Sequence, residues 1–270
     1  MPPPAHPPHG SQQPCLSKCA SARRYQDSSV VIVLTMPVYN EADGIQEFVN
    51  ELDRALPPGV LLQVVDDASS DSTLARLESV DLPLGRLRIL QNSANVGHGP
   101  TTLRGLREAL INDVDVVASI DGDGQFDAAD VAGLLERLNE EWDVLEGCRF
   151  GRTDPWFRKV TSKVTAFLVA LRCGRFPTDA NTPLRIYRRE VLEALLDGIP
   201  ENFAVPNLLI SARSRRRGLR VIEAPVRSRV RRGVAASGTT WGSRRASIPT
   251  GRFVQFCWRA FRQLWTVSAS

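Results

Sequence analysis

The residues with the most chemistry in this chain fall in one short stretch, Asp121-Gly122-Asp123-Gly124-Gln125. A short β-branched run, Val114 to Ile120, precedes it and reads as a buried strand. Two carboxylates at alternate positions, just past a strand's carboxyl end, project into the crevice where open α/β sheets bind ligands. The glycines let backbone come close to such a ligand. A hydrophobic core has no use for the arrangement, because an unpaired buried carboxylate is costly. A divalent cation shared with a phosphorylated substrate would offset that cost. The spacing excludes an EF-hand, since Phe126 stands where that loop needs Gly and Ala132 where it needs Glu. An acidic surface turn is the plain alternative for this stretch taken alone.

The elements around it repeat one pattern. Val30 to Leu34 is an apolar strand, followed by Pro37-Val38-Tyr39-Asn40-Glu41 and a helix-like segment that stops at Pro57-Pro58-Gly59. Leu61 to Val65 is a second strand, running into Asp66-Asp67-Ala68-Ser69-Ser70-Asp71-Ser72-Thr73. Leu87 to Leu90 is a third, leading through Asn95-Val96-Gly97-His98-Gly99 to a helix over 101–111. The strand before the acidic stretch is the fourth, and Asp127 is placed to cap a helix over 128–138. Alternating strands and helices predict a mostly parallel twisted α/β sheet with helices on both faces. Gly97-x-Gly99 is not a dinucleotide fingerprint, because Thr102 stands where the third glycine belongs. The alternatives there are a turn offering backbone N–H groups to phosphate and a purely structural turn.

Four motifs in order, Pro37-Val38-Tyr39-Asn40-Glu41, Asp66-Asp67-x-Ser69-x-Asp71-x-Thr73, Asn95-x-Gly97-x-Gly99 and Asp121-x-Asp123-x-Gln125, resemble the family 2 glycosyltransferases of the GT-A (Rossmann-like) fold. The dolichol- and polyprenyl-phosphate mannosyltransferases within that family carry Gln two residues after the second metal Asp, as here. The resemblance covers roughly residues 29–235. It implies that Pro37, Tyr39, Glu41, Asp67 and Gly97 bind the nucleotide sugar. It also implies that Asp121, Asp123 and Gln125 hold Mg²⁺ or Mn²⁺ on the diphosphate. Physically, Tyr39 offers a flat face to a base, and Asp67 can accept from base N–H groups. For Asp66 a helix cap or a hydrogen bond inside the loop is expected.

Glu146-Gly147-Cys148-Arg149 is similar to the family's Gly-x-Arg after the fifth strand, and 179–189 to its arginine-bearing strand. Neither an acidic base nor a Gln-x-x-Arg-Trp stretch, usual where the acceptor is a hydroxyl, is present there. A hydroxyl nucleophile needs a general base, whereas a phosphate monoester is already anionic. A phosphate acceptor needs cationic guidance, for which Arg149, Arg185 and Arg229 are the candidates, with Arg231 (or its neighbour Arg232) closing on the diphosphate. The family's Arg-x-x-Gly-x-Ser after the last strand is out of register here, at Arg231-Arg232-Gly233-Val234-Ala235-Ala236-Ser237.

From Glu201 onward fourteen arginines face two acids, a local balance of +12 within a chain of net charge +4. That asymmetry predicts an anionic partner for the basic end. A helix over 252–265, with Phe253, Cys257, Phe261, Leu264 and Trp265 opposite its arginines, suits an anionic bilayer surface or packing against the domain. The helix expected over 156–171 is apolar on more than one face, so core and lipid are both open to it. The scattered cysteines and three histidines make no disulfide or zinc pattern, which predicts a reduced, cytoplasmic protein, peripheral at the cytoplasmic face of a membrane. No apolar run is long enough for a membrane span, and the Pro/His-rich start is not a signal peptide. Nucleic acid is not an expected partner, for want of a recognised binding module.

The expected organisation is therefore a disordered tail over 1–27, a GT-A domain over 28–235, and a basic linker with an amphipathic helix over 236–270. The expected activity is inverting transfer of a hexose, mannose or glucose, from a GDP- or UDP-sugar to a polyprenyl or dolichyl phosphate. Transfer to a hydroxyl, nucleotidyl transfer, and a non-catalytic membrane- or nucleic-acid-associated role remain as rivals.

Overall fold

Runs of Val, Ile and Leu buried on both sides form strands when helices cover both faces of a sheet. The computed structural model describes residues 30–111, 113–150, 156–232 and 251–268. The expected tail over 1–27 and the linker over 236–250 lie outside them. The chain order is β1 (Ile32–Val38), α1 (Ile45–Ala55), β2 (Val60–Asp66), α2 (Thr73–Glu78), β3 (Leu87–Gln91), α3 (His98–Ile111), β4 (Val116–Ser119) and α4 (Ala128–Glu136). It continues through β5 (Val144–Phe150), α5 (Trp156–Cys173), β6 (Arg185–Arg188), α6 (Arg189–Leu196), α7 (Pro206–Arg216), β7 (Val221–Arg227) and α8 (Gly251–Thr266).

Seven strands form one sheet in the order β3-β2-β1-β4-β6-β5-β7. All neighbours are parallel except β6, which runs antiparallel between β4 and β5. Side-chain alternation divides the core into two layers. Ile32, Leu34, Met36 and Val38 face α1 and α4 with Phe48, Leu52, Val131 and Leu135. Val33 faces the other layer, where α3, α6, α7 and α8 contribute Leu106, Leu192, Leu209 and Leu264. The helix α7, preceded by Val205 and opened by Pro206, has no counterpart in the expectations above.

Charge explains part of the basic C-terminal excess. Arg213 is buried and donates to the carbonyls of Leu195 (2.7 Å) and Asp197 (2.6 Å). Arg215 pairs with Glu146 and Glu223, each at 2.7 Å. These arginines are internal rivets, so the asymmetry is met in part by the chain's own acids and carbonyls rather than by an outside partner. Among the described residues, no helix is long and apolar enough to cross a membrane.

Candidate active site

The acids expected to bind nucleotide or metal sit at the carboxyl rim of β1, β2 or β4. The acidic stretch is held against β1: Gly122 N donates to the Pro37 carbonyl (3.3 Å), and Ile120 N to that of Thr35 (3.1 Å). β1 is longer than expected and includes Pro37 and Val38. A Cβ on Gly122 would collide with Cγ1 of Val38, which is why the loop can approach so closely. Gly122→Ala is expected to cost about 1–3 kcal/mol by overpacking, read as a lower urea midpoint, and to weaken Mn²⁺ binding. Unchanged stability and metal affinity would show that the loop is not wedged there.

The hydroxyl-rich stretch after β2 positions Glu41. Asn40, in the left-handed region at φ 52, is gripped by Ser69 Oγ on its N–H (2.9 Å) and accepts from Ser70 N (2.8 Å). Glu41 N donates to Thr73 Oγ1 (2.8 Å) and Ala42 N to Asp71 Oδ2 (3.3 Å). Asp66 accepts from Ser69 N (3.2 Å), the loop hydrogen bond expected of it. Half-buried Tyr39 begins this laced turn.

Asp67 is buried and clamps the next loop. Its Oδ1 accepts from Asn92 Nδ2 (2.7 Å) and Val96 N (2.9 Å), and its Oδ2 from Gly97 N (2.9 Å). Of the two alternatives for this turn, that geometry favours the structural one at Gly97, whose N–H is engaged by Asp67. The helix α3 also starts earlier than expected, at His98. His98 Nε2 lies 3.5 Å from Asp121 Oδ1. Nothing in the linear spacing placed this histidine near the acids; only the β3–α3 connection does.

Electrostatically, the rim is short of positive charge. Burial, and then the neighbouring Asp121 charge, push the Asp123 carboxyl up to about 6. Burial also pushes Glu41 up to about 7, against the lowering pull of Arg231. Among the described residues no three His, Cys, Asp or Glu side chains gather as a metal cage. Two carboxylates that repel each other at an open rim do fit Mg²⁺ or Mn²⁺, which bind through one or two carboxylates plus substrate phosphates. Gln125 is on the same loop, its N–H donating to Asp123 Oδ1 (3.0 Å).

A basic strap, residues 228–232, crosses this loop. Arg229 N donates to the Gln125 carbonyl (2.7 Å) and Arg232 N to that of Asp123 (3.1 Å). The three arginines then diverge. Arg231 pairs with Glu41, facing the rim. Arg232 turns to Glu51 and Glu47 on α1, its stem against Gly124, where a Cβ would lie 2.8 Å from Arg232 Cδ. Arg229 pairs with Glu51 (2.8 Å) and with Asp127, which also caps α4. Of Arg231 and Arg232, the first is thus the one beside the acids.

The other two arginines are engaged elsewhere. Arg149 makes a two-pronged pair with Asp179, at 2.7 and 3.0 Å. Arg185 is fully buried in β6; it pairs with Glu146 (3.1 Å) and donates to the carbonyls of Thr182 (3.0 Å) and Ala180 (2.8 Å). As placed, Arg185 is enclosed by protein and braces the loop before β6 instead of facing a ligand.

The strand order and the acidic rim at its carboxyl edge define a GT-A architecture. Solved structures agree. Glucosyl-3-phosphoglycerate synthase from Mycobacterium tuberculosis, in complex with Mn²⁺, UDP and glucosyl-3-phosphoglycerate, superposes with TM-score 0.61 at 17% identity, covering 89% of this chain and 82% of that one. A mannosyltransferase from Pyrobaculum calidifontis in complex with GDP-Man and Mn²⁺ gives TM-score 0.54 at 21% identity, over 87% and 66% of the two chains. The Glycosyl transferase family 2 profile matches residues 33–196. The chain belongs to that family. It is also 28% identical, over 181 residues, to the undecaprenyl-phosphate 4-deoxy-4-formamido-L-arabinose transferase of Proteus mirabilis, covering 66% of this chain and 55% of that protein. The namesake from Sodalis glossinidius is 28% identical over 169 residues, 61% and 51% of the two. The chain spans about half the length of the curated relatives it matches.

Proposed function

We propose that this protein is an inverting glycosyltransferase that moves a hexose, mannose or glucose, from a GDP- or UDP-sugar to a polyprenyl or dolichyl phosphate. One observation carries the reading: the mutually repelling pair Asp121 and Asp123, set at the sheet's carboxyl rim beside Glu41. Membership of family 2, with relatives named for transfer to undecaprenyl phosphate, supports the acceptor.

In this reading Tyr39 stacks on the base, and Asp67 accepts from it while holding the loop that ends at Gly97. Pro37 sets the floor and Glu41 orients the donor. Asp121, Asp123 and Gln125 would hold Mg²⁺ or Mn²⁺, which when bound neutralises charge on the departing nucleoside diphosphate. Arg231 exchanges Glu41 for the diphosphate as the donor enters. An acceptor phosphate oxygen bonds to the anomeric carbon as the bond to the diphosphate oxygen breaks, with inversion. That oxygen is already anionic, so no side chain has to take a proton. Arg229, on the strap over the acidic loop, and Arg149 guide the acceptor phosphate by exchanging Glu51, Asp127 and Asp179 for it.

A panel of nucleotide sugars with and without Mn²⁺ should give one donor whose thermal shift needs the metal. With that donor and extracted lipid, labelled sugar should pass into the organic phase as an acid-labile product. No donor-specific shift anywhere in the panel would sink the reading. Transfer to a hydroxyl of a saccharide or small molecule is favoured by one observation, the internal engagement of Arg149 and Arg185. Label that stays in the aqueous phase would select it.

A further inference from the structure

The helices α5 and α8 stand out by what they lack and by what they show. Neither contains an aspartate or glutamate. Both pack on the domain by small or aliphatic residues: α5 buries Val169 and Ala170, and α8 buries Ala260 and Leu264. Among the side chains described on these helices, the aromatic ones point the other way. On α8, Trp258 (63% exposed), Phe261 and Trp265 (51%) follow helical spacing along the outer face. Their rings stack in a row, 6.2 Å from Trp258 to Phe261 and 5.4 Å from Phe261 to Trp265. On α5, Val164, Phe167 and Leu171 form a second exposed stripe, extended by Phe176, whose ring lies 6.4 Å from that of Phe167.

The two stripes are joined. The Arg172 guanidinium sits 5.5 Å over the Trp265 ring and donates to the Val267 carbonyl at 2.7 Å. The charged side chains described on the two helices and the turn after α5 are basic, with Lys163, Arg175, Arg259 and Arg262 exposed, while the exposed acid Glu201 lies next to Asn202 at one edge of α8. Each helix is therefore both core and surface: one face packs on the domain and the other is exposed. A core-facing amphipathic helix puts its bulk inward, whereas among its described side chains α8 turns Ala260 and Leu264 inward and both tryptophans outward.

One flank of α8 is linked to the acidic rim through residues 202–204 and 98–99. Arg259 and Gln263 both donate to the Asn202 carbonyl at 3.1 Å, and Gln263 Oε1 accepts from Ala204 N at 2.7 Å. The Phe203 and Ala204 carbonyls press on Gly99, where a Cβ would collide with them. His98, the residue before Gly99, is the one beside Asp121.

We propose that α5 and α8 form one docking face for an anionic lipid bilayer, seating the chain with its acidic rim at the headgroup level. Tryptophan and phenylalanine belong at the boundary between acyl chains and headgroups, and arginine and lysine around them meet anionic headgroups. The proposal deepens the lipid-phosphate reading above, yet its test needs no substrate, so each can fail without the other.

The full chain is sedimented with vesicles of phosphatidylcholine alone and of phosphatidylcholine with phosphatidylglycerol. Binding should favour the anionic vesicles by at least about tenfold and weaken with salt. Tryptophan emission should shift to the blue and be quenched by brominated lipid. The pairs Trp258→Gln/Trp265→Gln and Phe167→Ser/Leu171→Ser should each weaken partition by about tenfold or more. Both pairs should keep the wild-type thermal midpoint and the Mn²⁺-dependent shift with nucleoside diphosphate, since all four side chains are exposed. Failure to bind anionic vesicles at low salt would overturn the proposal. So would equal binding to both vesicles, undiminished binding by both pairs, or self-association through this face in place of vesicle binding.

Discussion

Asp123→Ala is expected to lower turnover with the preferred donor by about a thousandfold, the range seen when a group that stabilises developing charge is removed. The Mn²⁺-dependent thermal shift should vanish with it. The apo protein should not melt earlier, because Asp123 is half-buried beside Asp121, and desolvation with that neighbouring charge pushes its carboxyl up to about 6. Its hydrogen bond from Gln125 N only partly offsets desolvation and the repulsion from Asp121, so removing the carboxylate relieves a cost. The combination, lost metal response with an intact fold, separates a ligand role from a structural one. A variant that keeps metal-dependent turnover within a few-fold of wild type would mean the cation, if any, is held elsewhere.

The largest stability loss is expected at a residue far less conspicuous in the sequence. Glu146, on β5, is fully buried between Arg185 on β6 and Arg215 on α7. Glu146→Leu leaves two guanidinium groups in the interior with their shared counter-charge gone. Breaking a buried pair this way costs about 3–5 kcal/mol, which should be plain in urea unfolding. Adding Arg185→Met should recover much of the loss, since a matched apolar pair replaces a buried ion pair at little cost. A loss below about 1 kcal/mol for the single variant would show that water reaches these groups. The same cluster extends outward, where Glu223 accepts from Thr178 N at 2.9 Å and fixes the loop before β6.

Glu146 also illustrates what the sequence hides. The strands β1 to β4 were readable because each is a continuous apolar run, and Asp127 was readable as a cap because N-terminal caps are local. The acidic rim followed, since it lies at the ends of those strands. Arginines were harder: one in a strand and one at a ligand site look alike, and the partners that decide between them are remote. Arg149 meets Asp179 thirty positions away, and Arg231 meets Glu41 at a separation of 190. His98 was passed over for the same reason. Pro37 was read as past the strand because proline rarely sits in a central one. It is tolerated because β4 pairing ends at Thr35, beyond which only Gly122 addresses that edge of β1. α7 went unseen because it is buried almost all round and so lacks the one-sided pattern that marks a surface helix.

The strap over the acidic loop has a consequence for biosynthesis. Its arginines, at 229, 231 and 232, lie behind every strand of the sheet in chain order, while the carboxylates they meet belong to α1, α4 and the turn after β1. A nascent chain still on the ribosome therefore carries these acids without their counter-ions until β7 has emerged. The site is completed only after every strand of the sheet, and a truncation just past β7 would still leave it without its cationic cover.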